Sequence, residues 1–342
     1  MPLVRFGSRH VTPRAVFLFL ATITAIPLFI LITLAPPARV PELVVSSPPP
    51  KAAPPPVEAQ GHAATDKLIT RLKEHGLWEL DPSREAVPPL FIKSYPPDLN
   101  AVADIDVKKK VFLHSLLPHA LYVREEALQR RERLRAVLYK IDCTLEDIHF
   151  EPGPFDGNGC AWSDGLAEEE VSFIQQLSKK YRTTSAEGLL ERVDAVPTSI
   201  ILAQGALESS WGSSRFTREG NSVFGMWTWK KKGIVPARRD EGKTHKVKVY
   251  GSIRDSIRAY HLTLNRVSFY DRFRQLRKIT DDPLVLAEGL SPYSERGEEY
   301  VEEIKAVITS NDLQQYDSCR LSDLARPELN DIMAEEQVKT PL

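Results

Sequence analysis

Glu208 is the residue of this chain best suited by its surroundings to acid–base chemistry. It lies near the C-terminal end of ILAQGALESSWG, residues 201–212, where apolar residues recur with a helical period. The helix that we predict, from about Pro197 to Trp211, contains no Lys or Arg to pair with this carboxylate. Partial burial raises the pKa of a carboxyl group, and so does the negative end of a helix dipole. A Glu with a raised pKa is a candidate general acid near neutral pH.

Aromatic and amide side chains crowd the segment that follows Glu208. They are Trp211, Phe216, Asn221, Phe224, Trp227, Trp229 and, further on, Tyr250. Aromatic faces suit the C–H surfaces of sugar rings, and amides suit hydroxyl and acetamido groups. Three of the five tryptophans of the chain fall within 19 residues. We therefore favour a carbohydrate-binding cleft over ordinary core packing, although for Phe224 alone core packing is the simpler interpretation.

The motifs ILAQGALESSWGSSRF and NSVFGMW together resemble the glucosaminidase-type domain of glycoside hydrolase family 73. VYGSIRDSIRAYHLTL and SPYSERGEEYVEEI are similar to later motifs of that family, and PPLFIKSYPPDLNAVADIDVKKKVFLHSLLPHAL resembles membrane-associated bacterial proteins of the Bax type. The resemblance covers about residues 85–312. It implies a mainly α (α+β), lysozyme-like fold with a small β-hairpin lobe. It also implies that the protein is an endo-β-N-acetylglucosaminidase, which hydrolyses the glycosidic bond after N-acetylglucosamine in peptidoglycan.

The resemblance assigns roles motif by motif. Glu208 matches the catalytic acid, which would protonate the leaving glycosidic oxygen. Tyr293 matches the active-site tyrosine of the family. The substrate-binding residues that we predict are Asn221, Phe224, Trp211, Trp227 and Tyr250.

The second catalytic group is left open by the sequence. Many relatives place another carboxylate in the β lobe, and Asp240 and Glu241 are the only acids within residues 220–254. We choose Glu241 as the catalytic candidate, with a solvated hairpin tip as the alternative. Without such a base, the 2-acetamido group of the substrate would attack, assisted by Tyr293. A separation of about 6.5–9.5 Å between Glu241 and Glu208 would permit an inverting mechanism.

Two other functions fit parts of the pattern. A lytic transglycosylase also uses one Glu in a lysozyme-like fold, but such enzymes usually carry G-L-M-Q where this chain reads FGMW. A non-catalytic, membrane-anchored peptidoglycan-binding protein would need the same anchor and cleft.

The chain has no HExxH and no G-x-S-x-G motif, so we predict neither a metal nor a cofactor. With 45 Lys and Arg against 46 Asp and Glu, nothing indicates a nucleic-acid partner.

The elements that must position these residues are mostly helices. Helical periodicity is found in residues 65–78, 107–141, 166–182, 252–267 and 294–310, besides the helix of Glu208. Pro118 is expected to kink or split the helix of residues 107–141. The alternating HKVKVY and the glycines near it predict a β-hairpin after the Glu208 helix.

The N-terminus predicts a membrane anchor. Residues 15–35 hold no charge and are long enough to span a bilayer, and basic residues precede them in the cytoplasmic segment 1–14. A cleaved signal peptide is the alternative. Residues 36–61 form a Pro-rich linker. We therefore predict a single-pass protein of the bacterial inner membrane with its catalytic domain in the periplasm. Beyond the linker we expect a helical extension (62–150), the catalytic domain (151–317) and a polar tail (318–342).

The cysteines leave two alternatives open. The chain has three, Cys143, Cys160 and Cys319, and none forms a CxxC pair. One disulfide with one free thiol is expected in an oxidising compartment, and three buried thiols are expected otherwise.

Overall fold

A computed structural model of the chain describes residues 63–150, 160–237, 239 and 242–322. The predicted cytoplasmic segment 1–14, membrane helix 15–35 and linker 36–61 lie outside the described residues. Within the described part of the chain, no helix combines the length and the apolar character needed to cross a bilayer.

The described residues are mostly helical, as the sequence predicts. The α-helices are α1 (Ala63–Glu74), α2 (Ile105–Leu138), α3 (Glu168–Tyr181), α4 (Ala186–Arg192), α5 (Thr198–Ser209), α6 (Arg215–Gly220), α7 (Ile253–Arg266), α8 (Asp271–Arg277), α9 (Pro283–Leu286) and α10 (Glu298–Ser310). Short 3₁₀ turns span Pro82–Arg84, Leu99–Ala101, Ser268–Tyr270, Ala287–Tyr293 and Leu313–Tyr316.

Helix α2 is continuous over 34 residues, with Pro118 inside it. Of the two outcomes expected at the proline, a kink or a split, the split is therefore absent. Asp104 caps the helix, because its side chain accepts hydrogen bonds from the backbone N–H groups of Asp106 and Val107. Residues on both sides of Pro118 are buried against α5 and α7, and this packing offsets the backbone hydrogen bond that the proline lacks.

Helix α5, which carries Glu208, is almost entirely buried. Its close approach to α2 depends on Gly205, where a Cβ would lie 3.0 Å from a methyl of Leu116 and 3.3 Å from one of Val223. Its N-terminus is held by Asp317, which accepts hydrogen bonds from the backbone N–H (2.8 Å) and hydroxyl (2.6 Å) of Ser199. A carboxylate at this end also complements the helix dipole. The helix that presents Glu208 is thus fixed along its length.

Four short strands pair in two places. Strand β2 (Trp227–Thr228) pairs antiparallel with β3 (Lys246–Val247), and an isolated bridge joins Ile234 to Val247. This confirms the predicted hairpin. Strand β1 (Ala86–Val87) pairs in parallel with β4 (Arg320–Leu321), which lies in the tail that the sequence analysis left without structure.

The described residues belong to one compact unit. One hydrophobic cluster contains residues of α1 and α2 together with residues of α5, α7 and α10. It therefore crosses the boundary between residues 62–150 and 151–317, although that division stays a prediction. A second cluster joins the end of α2 to α3 and α4. Beside it, Cys143 and Cys160 form a disulfide, and Cys319 is a buried free thiol, so the first of the two cysteine alternatives is the one found.

Candidate active site

Glu208 lies in the last turn of α5, half-buried, where the chain turns sharply out of the helix. Ser210, Trp211 and Gly212 follow with positive φ angles of 50°, 57° and 77°. This conformation is strained for the two residues that are not glycine. The side chain of Ser209 supports the turn, since its hydroxyl donates to the carbonyl of Gly205 and accepts from the N–H of Gly212 at 2.7 Å.

A chain of hydrogen bonds runs through the core to Glu208. Tyr300 on α10 donates its hydroxyl proton to Oε1 of Glu208 at 2.7 Å. The same hydroxyl accepts a hydrogen bond from Nε2 of Gln204 at 2.8 Å. Gln204 Oε1 in turn accepts from the hydroxyl of Tyr260 on α7. We refer to Tyr260, Gln204, Tyr300 and Glu208 as the carboxylate relay. It orients one oxygen of Glu208 from three different helices.

Sequence reasoning missed three members of this relay. Gln204 stands in the quoted AQ-x-x-LES motif, four residues before Glu208 and therefore on the same face of α5. Tyr300 is the second tyrosine of the last motif, and Tyr260 lies in the SIRDSIRAYHLTL run. The signal was thus present in the motifs, but only the fold shows which tyrosine reaches the carboxylate.

Burial raises the pKa of Glu208, as the sequence predicts. The hydrogen bond from Tyr300 and the positive charge of Arg296 oppose this rise, and the negative charge of Glu303 adds to it. Arg296 is exposed and forms an ion pair with Glu303. Because desolvation is the largest of these effects, the carboxyl group keeps its proton to a higher pH than an exposed Glu would.

The second carboxyl oxygen, Oε2, faces Gly225. A Cβ built on Gly225 would lie 3.8 Å from Oε2, and the backbone there has φ +60°, which favours glycine. Among the residues that the structure describes, no group donates a hydrogen bond to Oε2. Oε1 is therefore anchored by Tyr300, and Oε2 is left to carry the proton that a general acid transfers.

Tyr293 lies against the relay. Its ring stacks on that of Tyr300, with centroids 5.8 Å apart, and lies 6.1 Å from the ring of Tyr260. Its hydroxyl donates to the backbone carbonyl of Phe224 at 2.9 Å. Burial, followed by the nearby charge of Glu208, raises the pKa of Tyr293 well above its usual value. Tyr293 is consequently a neutral hydroxyl group at neutral pH, brought together with Glu208 as the sequence predicted.

Phe224 and Asn221 occupy different surroundings. Phe224 is buried and stacks on Tyr260 with centroids 4.0 Å apart, so its side chain belongs to the core and its carbonyl holds Tyr293. Asn221 ends α6 with φ 51° and donates from Nδ2 to the carbonyl of Tyr250 at 3.3 Å. Its buried Oδ1 has no partner within the described part of the chain.

The predicted aromatic residues are spread over the domain. Trp227 is 56% exposed on β2. Tyr250 is buried, and within the described residues its hydroxyl has no hydrogen-bond partner. Trp211 packs edge-on against Phe112 (5.9 Å) and beneath the ammonium group of Lys109 (5.0 Å), both on α2. Trp211 thus ties the turn after Glu208 to α2.

The candidate base Glu241 lies outside the described residues, and so does Asp240. Its distance from Glu208 therefore stays open. The described carboxylate whose charge acts on Glu208 is Glu303, which is paired with Arg296. Among the described residues, no group of three or more His, Cys, Asp or Glu side chains is arranged to hold a metal ion.

Residues 184–313 match the glucosaminidase family model, described as mannosyl-glycoprotein endo-beta-N-acetylglucosaminidase. The resemblance read from the motifs is confirmed over this region, which contains all four members of the carboxylate relay and Tyr293. This part of the chain is therefore similar to glycoside hydrolase domains of the glucosaminidase type.

Two known proteins are also similar to this chain. The chain is 26% identical over 229 residues to Protein bax of Escherichia coli (strain K12), a match that covers 63% of this chain and 74% of the relative. A solved structure of the catalytic domain of the autolysin Auto from Listeria monocytogenes aligns with 21% identity and a TM-score of 0.28. That alignment covers 45% of this chain and 90% of the autolysin domain.

Proposed function

We propose that this protein is a peptidoglycan hydrolase, an endo-β-N-acetylglucosaminidase of lysozyme-like fold that uses Glu208 as its general acid. The observation that carries the proposal is the asymmetric environment of the Glu208 carboxyl group. Tyr300 holds Oε1, burial raises the pKa, and Oε2 faces Gly225 without a described donor. The match of residues 184–313 to the glucosaminidase model supports a glycosidic substrate.

In the proposed reaction, protonated Glu208 donates its proton to the glycosidic oxygen as the bond from that oxygen to the anomeric carbon of N-acetylglucosamine breaks. The bonding electrons leave with the oxygen, which becomes a hydroxyl group, and positive charge develops on the sugar. The new carboxylate of Glu208 is stabilised by the hydrogen bond from Tyr300 and by the charge of Arg296.

Two routes then complete hydrolysis. In one, Glu241 removes a proton from the attacking water. In the other, the 2-acetamido oxygen of the substrate attacks the anomeric carbon, and water opens the resulting ring. Tyr293, neutral and hydrogen-bonded to the carbonyl of Phe224, supports the second route, because its hydroxyl group is held beside the relay.

We further propose that residues 15–35 anchor the protein in the inner membrane and that the catalytic domain acts in the periplasm. An extended polyproline-like linker of residues 36–61 would reach about 80 Å at about 3.1 Å per residue. The domain could then contact peptidoglycan while remaining tethered. Membrane fractionation of the full chain against residues 60–342 tests this. Recovery of the full chain in the soluble fraction would contradict it.

The catalytic proposal is tested by digesting purified peptidoglycan with wild-type protein and Glu208→Gln, which keeps the size of the side chain. Glu219→Gln is a matched control, because Glu219 is exposed on α6 and paired only with Arg215 among the described residues. We expect wild type and control to release strands with reducing N-acetylglucosamine ends, and Glu208→Gln to bind the wall without cutting it.

The chemical nature of the products separates the other candidates. Strands ending in 1,6-anhydromuramic acid would identify a lytic transglycosylase. Wall binding without any release of sugar by the wild-type protein would identify a binding protein. Full activity of Glu208→Gln would refute the role of Glu208 whatever the product.

A further inference from the structure

The β lobe has an excess of basic residues, whereas the chain as a whole is nearly neutral. Residues 227–250 contain eight Lys or Arg residues against two Asp or Glu, in a chain whose formal net charge is −1. The basic residues are Lys230, Lys231, Lys232, Arg238, Arg239, Lys243, Lys246 and Lys248. Such a local excess of one sign attracts ligands of the opposite sign.

Three consecutive lysines form one exposed part of this charge. Lys230, Lys231 and Lys232 lie in the turn after β2 and are all exposed. Within the described residues, none of the three forms an ion pair with a carboxylate. No described carboxylate therefore neutralises them, unlike Arg258, which is paired with the buried Glu126.

Exposed tryptophans adjoin these lysines. Trp227 and Trp229 are 56% and 71% exposed, with ring centroids 6.4 Å apart. Trp227 also stacks on His245 of the neighbouring segment at 4.2 Å, which holds its ring in place. Large aromatic side chains left in solvent mark binding surfaces. We call Trp227, Trp229 and Lys230–Lys232 the basic aromatic surface.

This surface follows Gly225, the neighbour of Glu208, within a few residues along the chain. Gly225 lies against Oε2 of Glu208, and Met226 follows, its carbonyl accepting a hydrogen bond from the backbone N–H of Lys248 at 2.8 Å. Trp227 is the next residue. An extended chain covers at most about 17 Å between Gly225 and Lys230, at about 3.3 Å per residue. A polymer bound at Glu208 can therefore reach the lysines without a change in fold.

We propose that the basic aromatic surface binds the carboxylates carried by the peptide-bearing glycan strand, while its tryptophans pack on the sugar rings. This rests on the function proposed above and makes it more specific, because it names which form of the polymer is preferred. Sugar rings are neutral and would not use three ammonium groups that have no carboxylate partner among the described residues, whereas peptide stems present several carboxylates. The short stretch of chain between Glu208's neighbour Gly225 and these lysines favours the polymer over an anionic membrane surface as the occupant.

The test measures binding apart from cutting. Full-length protein carrying Glu208→Gln, in mild detergent, is sedimented with purified sacculi and with sacculi whose carboxylates have been converted to neutral amides. We expect Kd to be about tenfold weaker on the neutralised sacculi, a difference of about 1.4 kcal/mol. We expect Lys230→Gln/Lys231→Gln/Lys232→Gln to bind both kinds of sacculi equally weakly. Added salt should weaken only the binding of the parent protein to native sacculi.

Lys67→Gln/Lys73→Gln/Lys179→Gln is the matched control, since it removes three exposed lysines of α1 and α3. It should keep the tenfold preference. Equal affinity of the parent protein for the two kinds of sacculi would overturn the inference. So would a triple variant of the surface that loses only its binding to phosphatidylglycerol vesicles.

The proposed hydrolase function is tested by a separate measurement, the release of reducing sugar. Protein with an intact Glu208 either releases reducing N-acetylglucosamine or does not, whichever way the binding experiment turns out.

Discussion

Replacing Tyr300 by phenylalanine removes one hydroxyl group from the carboxylate relay and leaves the ring stacked on Tyr293. The hydroxyl donates to Oε1 of Glu208 at 2.7 Å and accepts from Gln204 at 2.8 Å. The bond to Glu208 favours the ionised carboxylate and lowers its pKa against the effect of burial. Tyr300→Phe should therefore raise the pKa of Glu208 further.

The size of the effect follows from the type of bond. A hydrogen bond to a charged group contributes about 1.5–3 kcal/mol. Because Glu208 is only half-buried, we take the lower end of this range. The alkaline limb of kcat/KM, where a general acid loses its proton, should then move up by about one pH unit. The plateau should fall about tenfold, since the carboxylate formed by proton transfer loses its stabilising donor.

Tyr260→Phe is the control for this experiment. It removes the other tyrosine hydroxyl that bonds Gln204 and disturbs the same core, but it leaves the bond between Tyr300 and Glu208 intact. The assay is the release of reducing ends from soluble glycan strands between pH 4 and pH 9, with thermal melts of both variants. The reasoning is refuted if the alkaline limb of Tyr300→Phe stays in place, or if Tyr260→Phe moves it equally.

Three further predictions concern stability. Glu208→Gln should melt at a higher temperature than the wild type at pH 8, because burial disfavours the ionised carboxylate that only the wild type carries. The folded state raises the pKa of Glu208 above 4.5, so ionisation costs stability as pH rises past that value, and the advantage should vanish by pH 4. Cys143→Ser/Cys160→Ser should lower the free energy of unfolding by about 3 kcal/mol, because the disulfide closes a loop across 17 residues. Urea unfolding of reduced wild-type protein should give the same loss, and an unchanged midpoint would contradict the prediction. Asp317→Ala should cost about 1–2 kcal/mol in the same urea assay, since it frees the N–H and hydroxyl of Ser199 at the start of α5. A variant that unfolds like the wild type would show that the cap is dispensable.

Local rules were sufficient for α1, α2, α3, α5, α7, α10 and the hairpin, because consecutive residues carry their periods and turn residues, but the short helices α4, α6, α8 and α9 were not predicted. They could not choose between a kink and a split at Pro118, where packing of α2 against α5 and α7 keeps the helix continuous despite the missing hydrogen bond. They also missed the pairing of Arg320 with Ala86, since a two-residue strand has no pattern of its own. In both cases the deciding contacts are distant in sequence.

The same distinction between local sequence and distant contacts applies to the active site. The sequence by itself determined that Glu208 ends an apolar helix without a cation, that burial would raise its pKa, and that Tyr293 belongs with it by motif. Only the tertiary structure decided that Tyr300, 92 residues away, donates to Oε1, and that Gln204 and Tyr260 complete the relay. The physical reason is that a hydrogen bond needs a donor within about 3 Å in the right direction, and the packing of α5, α7 and α10 sets that geometry.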